Sequence, residues 1–353
     1  MSGSGVPSSS AARSRRAGAM VAAVAVLVGA CNLASSPSPS SSGTSGSTTG
    51  QFCQGVKIVF FPGGTAGGGF ETVVYNGAKA AEAAFGPTVT YQWSDWDPNK
   101  MISQFREAVA TKPDGIAVMG HPGDDAFDPL IDDARSQGIL VTAMNTELAK
   151  AEAKYATAGF GYVGAVLHDA GAALAKEAVA RGGLKSGDRA FVWGLKSQPG
   201  RGERTQGILD ALQEAGLKVD YLEIDDATNK DPAAGVAAFT GYASAHPDLK
   251  AIFIDHGNLT STIPTYMKAA NLAADKIYAA GFDLSPSTVQ GVKDGFVDLV
   301  IDQQQYLQGF LAIEQICLTK KFGFSGLFVN TCGGFVEKSN FAVIAPLVTQ
   351  QIR

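Results

Sequence analysis

The sequence predicts an α/β protein with two doubly wound lobes, each built on a parallel sheet. Strands that are apolar on both faces and alternate with amphipathic helices indicate βαβ units. About four such strands fall in each half of the roughly 300 residues that follow the first fifty, which favours two lobes over one very wide sheet. The apolar runs lie at 57–61, 88–93, 115–120, 139–144, 189–194, 219–224, 251–255, 277–283 and 298–302.

Residues 1–31 have the three parts of an export signal. Arg13, Arg15 and Arg16 precede the apolar segment 20–28, and small residues lead to Cys31. The segment is too short for a convincing membrane span, which needs about 20 apolar residues. The sequence VGAC at 28–31 looks like a bacterial lipobox, which predicts cleavage before Cys31 and a lipid on its thiol. The alternative is an ordinary cleavage site beside an incidental cysteine.

Residues 32–52 are mostly Ser, Gly, Thr and Pro. Such a composition buries too little apolar surface to offset the entropy of ordering, so it predicts a disordered tether. A lipid and a tether would hold the globular body outside the cell, beside the membrane. The formal net charge of −5, without a cluster of Lys and Arg, argues against nucleic acid as a partner.

Three cysteines follow the tether: Cys53, Cys317 and Cys332. Export permits a disulfide, and the sequence leaves the pairing open. Cys317 and Cys332 are the nearest pair along the chain, but a helix end and a returning strand would hold them on the order of 10 Å out of register. No Cys or His spacing predicts a metal site.

The segment FFPGGTAGGGFET (60–72) places several glycines between a strand and a helix, where backbone amides often approach a ligand. It lacks the lysine of a phosphate-binding loop and the spacing of a dinucleotide fingerprint. It predicts either a loop that closes near a neutral ligand, with Phe70 as a lid or stacking face, or a mobile loop without a ligand role.

Polar side chains follow many of the predicted strands, and parallel sheets bind ligands at the carboxyl ends of their strands. Amides, carboxylates and guanidinium groups interleaved with Trp and Phe suit sugar hydroxyls, which both donate and accept hydrogen bonds. The residues nominate no catalytic site, since there is no nucleophile elbow and nothing singles out a pair of carboxylates for hydrolysis. Without a phosphate-binding loop, a dinucleotide fingerprint or a metal-ligand spacing we expect no cofactor. The segments concerned are 62–70, 93–97, 121–125, 145–146, 193–204, 255–256, 283 and 303.

From about Gly55 to Phe341 the chain resembles a type I periplasmic binding protein of the ribose/galactose class, the solute receptor of sugar ABC transporters. The resemblance rests on the order of seven phrases: KIVFF, TKPDGIAVMG, ARSQGILVTAMNT, GERTQGILDAL, HPDLKAIFIDH, YAAGFDLSP and DLVIDQQQYLQG. It implies three crossovers between an N-lobe of 53–166 plus 304–335 and a C-lobe of 167–303 plus 336–353. It also implies a monomer that captures a sugar or polyol, closes by a hinge and delivers the ligand to an ABC permease.

The resemblance also implies the ligand-binding residues. Arg204 would fork onto ring oxygen and hydroxyls, Asp283 would accept hydroxyl protons, and Gln303 would bind the ligand at a crossover. The pair Asn145 and Thr146 replaces the Asp-Arg pair of the ribose type, and two histidines stand where that type commonly has asparagines. These departures leave the sugar open. The full set is Phe70, Trp96, Asn145, Thr146, His168, Arg204, His256, Asp283 and Gln303.

Two rival functions remain open. A lipoprotein of the same fold that binds nucleosides would stack a base on Trp93, Trp96 or Phe70. A ligand sensor would present its closed form to a membrane receptor without transport. A secreted hydrolase is disfavoured because the nucleophile elbow is missing. Repressors with the same pair of lobes are excluded because an export signal stands where their DNA-binding helices would be.

Overall fold

The computed structural model describes residues 51–353. The predicted signal, the lipobox at Cys31 and nearly all of the predicted tether lie outside the described residues. Twelve strands are present in the described part: β1 Lys57–Gly63, β2 Thr88–Trp93, β3 Gly115–Met119, β4 Leu140–Asn145, β5 Gly161–Gly164, β6 Arg189–Gly194, β7 Lys218–Glu223, β8 Leu249–Ile254, β9 Tyr278–Phe282, β10 Leu299–Asp302, β11 Phe328–Asn330 and β12 Gly334–Glu337.

Thirteen α-helices alternate with these strands, and none of those in residues 51–353 is long and apolar enough to cross a membrane. Their bounds are α1 Gly69–Phe85, α2 Pro98–Ala110, α3 Asp124–Ser136, α4 Ala149–Tyr155, α5 Leu167–Gly182, α6 Glu203–Glu214, α7 Asp226–Lys230, α8 Val236–Ala245, α9 Gly257–Thr260, α10 Ile263–Ala269, α11 Pro286–Asp294, α12 Gln305–Phe322 and α13 Phe341–Thr349.

The strands form two six-stranded sheets. The first sheet has the order β11-β5-β4-β3-β1-β2 and is parallel throughout. The second has the order β12-β10-β9-β8-β6-β7, and only its edge strand β12 is antiparallel. We call each sheet with its packed helices the first and the second lobe. The predicted fold class is confirmed.

The chain passes between the lobes three times. It leaves the first sheet after β5, returns from β10 to β11, and crosses again from β11 to β12. The segments 165–166, 303–304 and 331–333 carry these passages. The three crossovers implied by the family resemblance are therefore present in the structure.

All nine predicted strands are confirmed, and three short strands were not predicted. β5, β11 and β12 have only three or four residues each. β5 has glycine at both ends, and β12 begins with glycine after Gly333. Glycine normally interrupts a strand pattern. Each unpredicted strand pairs with its sheet next to a crossover. Such pairing depends on tertiary contacts, which local sequence patterns do not show.

The first lobe has one apolar core that α12 shares, although α12 follows the second sheet in the chain. Ala312, Ile313 and Ile316 of α12 are buried together with β1, β3 and β4. The second sheet is covered on each face by a separate apolar cluster. Burial on both faces accounts for the continuous apolar runs of the strands.

A disulfide joins Cys53 to Cys317, with Cα atoms 5.3 Å apart. It links the segment before β1 to the last part of α12, across 264 residues of sequence. Cys332 is the remaining thiol of the described residues and is unbonded. The pair nearest along the chain, Cys317 and Cys332, is therefore not the bonded pair, because Cys332 lies at the third crossover.

Reciprocal glycines bring α5 and α6 into close contact. A Cβ atom added at Gly171 would lie 2.0 Å from the carbonyl oxygen of Arg204, and one added at Gly207 would lie 2.0 Å from that of His168. Only glycine permits this approach of one backbone to another. The contact fixes the first turn of α6, which carries Arg204.

Candidate functional site

Polar side chains from both sheets meet at the carboxyl ends of their strands. Asn145 ends β4, Asp283 follows β9, and Gln303 follows β10. Asn145 has φ 62°, Asp283 has φ 68° and Gln304 has φ 54°. Left-handed backbone at residues other than glycine is uncommon and clusters at functional sites. We call this region the interlobe site.

Gln303 connects the two lobes through its side-chain amide. Its Oε1 accepts hydrogen bonds from Nδ2 of Asn145 at 3.3 Å and from a guanidinium nitrogen of Arg204 at 2.5 Å. Its Nε2 donates to Oδ1 of Asp283 at 2.7 Å. One amide at a crossover therefore ties the end of β4 to two groups of the second lobe.

Arg204 is buried and lies over the ring of Phe282, 4.4 Å from its centroid. A terminal guanidinium nitrogen also donates to the backbone oxygen of Asp255 at 3.1 Å. Burial, together with the neighbouring charge of Arg201, lowers the pKa of Arg204 to about 10. The group therefore remains a cation at neutral pH and is held in one orientation.

Asp255 is a buried carboxylate that organises the second lobe's part of the site. Burial opposes its ionisation, but Arg201 and the hydrogen bond from His256 outweigh burial and hold its pKa well below the usual range. Its Oδ2 accepts from Arg201 at 3.1 Å and from Thr205 at 2.8 Å, and its Oδ1 lies 2.7 Å from Nδ1 of His256. The carboxylate thereby orients the His256 ring.

At Asp283 the effect of burial on the pKa outweighs that of the neighbouring charges, which is the reverse of Asp255. Burial raises its pKa, although Arg204 and the Gln303 hydrogen bond oppose the rise. Its Oδ1 accepts from Gln303 and also from Nε2 of Gln305 at 2.9 Å. Both amides donate to Oδ1, and Oδ2 accepts no hydrogen bond from the described residues, which leaves it available to a ligand.

Five side chains of the site each have a buried nitrogen or oxygen without a hydrogen-bond partner among the described residues. Buried polar atoms are normally paired, because an unpaired one loses its hydration without compensation. The set contains both donors and acceptors, and it draws on both lobes and on the start of α12. The atoms are Nδ1 of His121, Oγ1 of Thr146, Nε of Arg204, Nε2 of His256 and Oε1 of Gln305.

Three rings form the aromatic side of the site in the first lobe. The Trp96 ring lies edge-on to Phe70, with centroids 5.7 Å apart, and 4.7 Å from the ring of His121. Burial first, then the charges of Arg201 and Arg204, lower the pKa of His121 to about 3. The imidazole is therefore neutral at physiological pH.

The glycine-rich loop after β1 makes room for two bulky neighbours. A Cβ atom added at Gly63 would lie 2.3 Å from the Trp96 ring, and one added at Gly68 would lie 1.9 Å from Oε1 of Glu71. That carboxylate oxygen accepts a hydrogen bond from the backbone amide of Thr65 at 3.0 Å. The loop amide thus binds the protein's own glutamate, and the glycines allow the Trp96 ring to lie against β1.

The segment before α6 reaches across to the first lobe. A Cβ atom added at Gly123 would lie 2.9 Å from Cβ of Pro199, and one added at Gly200 would lie 2.9 Å from Cγ2 of Thr146. Both contacts join a strand-end loop of one lobe to a loop of the other. In this conformation the lobes touch over the interlobe site.

The structure brings most of the predicted ligand-binding residues together. Phe70 and Trp96 adjoin each other, and Asn145, Thr146, Arg204, His256, Asp283 and Gln303 surround the connection between the lobes. His168 is placed elsewhere. It lies half exposed at the start of α5, with Nε2 3.0 Å from Oδ2 of Asp210 on α6.

The predicted set omits several residues of the site. Arg201, Asp255 and His121 fall within the predicted strand-end segments, so their position along the chain was the available signal. Gln305 and Gln308 lie in the first turn of α12, where Nδ2 of Asn145 donates to Gln308 at 3.3 Å. Their only sequence signal is a pair of amides in the first turn of a helix whose next residues are mostly apolar.

A family model described as a periplasmic binding protein domain matches residues 58–319. Two curated relatives are similar over part of their length. A xylose/arabinose-binding protein of Sulfolobus acidocaldarius is 28% identical over 235 residues, which are 63% of this chain and 56% of the relative. A D-ribose/D-allose-binding protein of Pseudomonas aeruginosa is 25% identical over 220 residues, 62% of this chain and 66% of the relative. The chain therefore spans between half and two thirds of their length.

A solved structure with the same fold is a carbohydrate transporter of Acidothermus cellulolyticus in complex with myo-inositol. Its TM-score is 0.72 at 23% identity, and the superposition covers 84% of this chain and 99% of that one. At this identity the likeness shows the shared fold. The two lobes and their crossovers are thus common to both molecules.

Proposed function

The chain belongs to the periplasmic binding protein domain family, and we propose that it captures a sugar or a sugar-like polyol between its lobes and delivers it to an ABC permease. The observation that carries the proposal is the set of five buried polar atoms at the interlobe site that have no hydrogen-bond partner within residues 51–353. A ligand with several hydroxyl groups would donate to some of these atoms and accept from others.

The charge balance of the site favours an uncharged ligand. Two buried cations, Arg201 and Arg204, face two buried carboxylates, Asp255 and Asp283, and the neighbouring buried carboxylate of Asp302 is paired with Arg353. An anion or a cation would leave one charge uncompensated in a region shielded from water, which is costly. A neutral polyhydroxyl ligand leaves the balance intact.

The aromatic rings suit the apolar C–H face of a sugar. Phe70 and Trp96 supply apolar faces beside the polar groups, and the C–H face of a sugar ring packs against such surfaces. Names of similar proteins point the same way, since the two curated relatives are described as binding pentoses and ribose or allose. The particular sugar is left to experiment.

We propose that 53–164 plus 305–330 move as one lobe and 167–302 plus 334–353 as the other, hinged at the three crossovers; the predicted boundary between 335 and 336 falls inside β12, which pairs with the second sheet. Ligand would close the lobes onto each other, and the closed form would dock on the permease. Capture and release require no catalysis and no cofactor. A monomer suffices for this mechanism.

The family acts outside the cytoplasm, and we propose that this member is held at the cell membrane by a lipid on Cys31. The proposal rests on the lipobox at 28–31 and the export signal before it. The mass of the intact chain purified from membranes tests it: a mature chain beginning at an acylated Cys31 is expected, and an unmodified or differently cleaved chain would contradict it.

A thermal-shift screen over pentoses, hexoses, polyols and nucleosides tests the proposed function. Ligand at about 100 times its Kd adds roughly 2.7 kcal/mol to the free energy of unfolding, which raises Tm visibly. We expect a sugar or polyol to give the largest shift. A shift with nucleosides alone would favour a nucleoside-binding protein stacking a base on Trp96, and would overturn the sugar proposal.

The same screen on Arg204→Ala tests the assignment of the site. Loss of a buried, charged hydrogen-bond donor typically weakens binding by about 2–5 kcal/mol, so we expect the shift to disappear while circular dichroism shows a folded protein. Arg189→Ala is the matched control. Arg189 pairs with Asp220 and Asp248 at the opposite end of β6, so this variant should keep the full shift.

A further inference from the structure

Four large apolar side chains are exposed together at the far end of the first lobe. Phe322 is 59% exposed, Phe324 56%, Leu327 53% and Phe328 44%. They occupy the end of α12, the loop after it and the start of the edge strand β11. We call these four residues the apolar base.

The apolar base adjoins a shallow groove of about 320 Å³. Phe324 and Leu327 form one side of the groove, and Leu318 of α12 forms the other. The Phe324 ring also lies 5.9 Å from the Phe322 ring. Exposed apolar side chains that gather in this way often mark a binding surface.

The first residues of the described chain, 51–54, lie beside the apolar base. The ring of Phe52 stacks on that of Phe322 at 5.8 Å. The disulfide pins Cys53 to Cys317, five residues before Phe322, and Nζ of Lys321 donates to the backbone oxygen of Gln54 at 3.0 Å. Residues 1–50, including Cys31, therefore connect to the folded body beside the apolar base.

Exposed lysines lie at the same end of the first lobe as the apolar base. Lys320 and Lys321 precede Phe322 on α12, and Lys57 and Lys112 lie at the same end of the lobe, around Asp114. Lys320 pairs with Asp114 at 2.8 Å, and the other three lysines form no salt bridge with a carboxylate of the described residues. The protein as a whole has the opposite sign, with a net charge of −5.

The apolar base lies at the end of the lobe opposite the interlobe site. α12 begins at Gln305 in the site and ends at Phe322, and 18 helical residues span about 27 Å. A surface that covered the apolar base would therefore leave the lobes free to open and to admit a ligand.

We propose that the apolar base rests on an anionic lipid bilayer, with its aromatic and leucine side chains in the interface and its lysines at the headgroups. The choice of a lipid surface rests on the proposed anchor at Cys31, which would bring the start of the folded body to the membrane. Exposed aromatic residues flanked by Lys are the composition that membrane interfaces select. A second copy of the chain would bring the lysines against one another.

The experiment places a fluorescent reporter on the apolar base of the full, membrane-purified chain. Phe324→Trp is reconstituted with vesicles of phosphatidylglycerol and phosphatidylcholine, with and without bromine on the acyl chains. The emission of the unsubstituted protein, which has three tryptophans, is subtracted. We expect emission at shorter wavelength with vesicles and quenching by the brominated lipid.

Val343→Trp is the matched control, because Val343 is an exposed apolar residue, 77% accessible, on α13 of the second lobe. Its emission should be unaffected by the vesicles. Equal quenching of the two reporters, or quenching of neither, would overturn the proposal. A shift of Phe324→Trp that grows with protein concentration in the absence of lipid would identify a second copy as the occupant and would also overturn it.

Two further measurements test the role of the lysines and distinguish membrane contact from sugar binding. Quenching should weaken on pure phosphatidylcholine and at high salt, because lysines attract anionic headgroups, and equal quenching would contradict the proposed role of the lysines. The sugar-induced rise in Tm is measured on the same variants. It should be unchanged, so loss of sugar binding and loss of membrane contact are read independently.

Discussion

His121 is the residue whose chemistry the structure changes most. Its Nδ1 is buried and has no hydrogen-bond partner in the part of the chain that the structure describes, and its ring adjoins Trp96. Burial and two nearby arginines lower its pKa to about 3, whereas an unfolded histidine titrates near 6.5. The protein therefore holds a neutral imidazole that can donate from one nitrogen and accept at the other.

Folding stability should depend on pH through His121. Between about pH 6.5 and 4 the unfolded state binds a proton that the folded state does not, so the free energy of unfolding falls as the pH falls, by up to about 1.4 kcal/mol per pH unit. His121→Phe removes this group. Urea unfolding of both proteins across this range should show a steeper loss in the unsubstituted protein.

The comparison with His121→Phe is needed because Asp298 changes the free energy of unfolding in the opposite direction as the pH falls. Burial raises the pKa of Asp298 to about 6, so this carboxyl stabilises the folded state as the pH falls through the same range. It is identical in both proteins and cancels in their difference. Parallel pH profiles for the unsubstituted protein and His121→Phe would contradict the assignment.

The sequence predicted the site residues that directly follow a continuous apolar run. Asn145, Asp283 and Gln303 each stand one position or less beyond such a run, so the geometry of parallel sheets placed them. Gln305 and Gln308 could not be predicted in this way, because they lie on a helix that follows the second sheet but belongs to the first lobe. Which carboxylate stays ionised depends on burial and on neighbours remote in sequence.

At the scale of elements, the contact of α5 with α6 should be sensitive to a single methyl group. Gly171→Ala would place Cβ 2.0 Å from the carbonyl oxygen of Arg204, so α6 must shift. Overpacking of this kind costs about 1–3 kcal/mol, and the shift displaces Arg204. We expect a lower free energy of unfolding in urea together with a weaker sugar-induced rise in Tm.

Gly241→Ala supplies the matched control. Gly241 also lies within a helix, α8, but an added Cβ there meets no atom within 4 Å. Alanine in an open helical position stabilises a protein by about 0.4–1 kcal/mol. A destabilised Gly241→Ala, or an unaffected Gly171→Ala, would contradict the account of the helix contact.

The disulfide is a second element that can be tested alone. A link that closes a loop of 264 residues should stabilise the fold by about 2–5 kcal/mol, largely by restricting the unfolded chain. We expect Cys53→Ser to lower the urea midpoint by a corresponding amount and reductant to have no further effect on it. Cys332→Ser, which removes the unbonded thiol, should leave the sensitivity to reductant unchanged.

Periodicity and length predicted the central strands, but not the strands next to the crossovers. β11 and β12 are short, and three residues separate them, yet they belong to different sheets. Each can pair only after the sheet that it joins has formed, β11 with β5 and β12 with β10. The disulfide shows the same limit, since Cys53 and Cys317 meet only because α12 packs on the first lobe.

At the scale of the whole molecule, the two ends of the first lobe have separate roles in our account. The carboxyl ends of its strands meet the second lobe around buried polar groups, and the opposite end presents the apolar base beside the place where the chain arrives. α12 runs between the two ends. Membrane contact at one end and ligand capture at the other can therefore proceed together.

We propose above all that one neutral, polyhydroxyl ligand binds between the lobes. Hydrogen exchange, followed by mass spectrometry with and without the sugar or polyol that raises Tm most, tests it directly. We predict slower exchange in strand-end segments of both lobes at once: 63–68, 120–123 and 145–146 in the first, and 195–204, 255–257 and 283 in the second, together with the crossover at 303–305. Protection confined to one lobe, or located away from these segments, would contradict the claim.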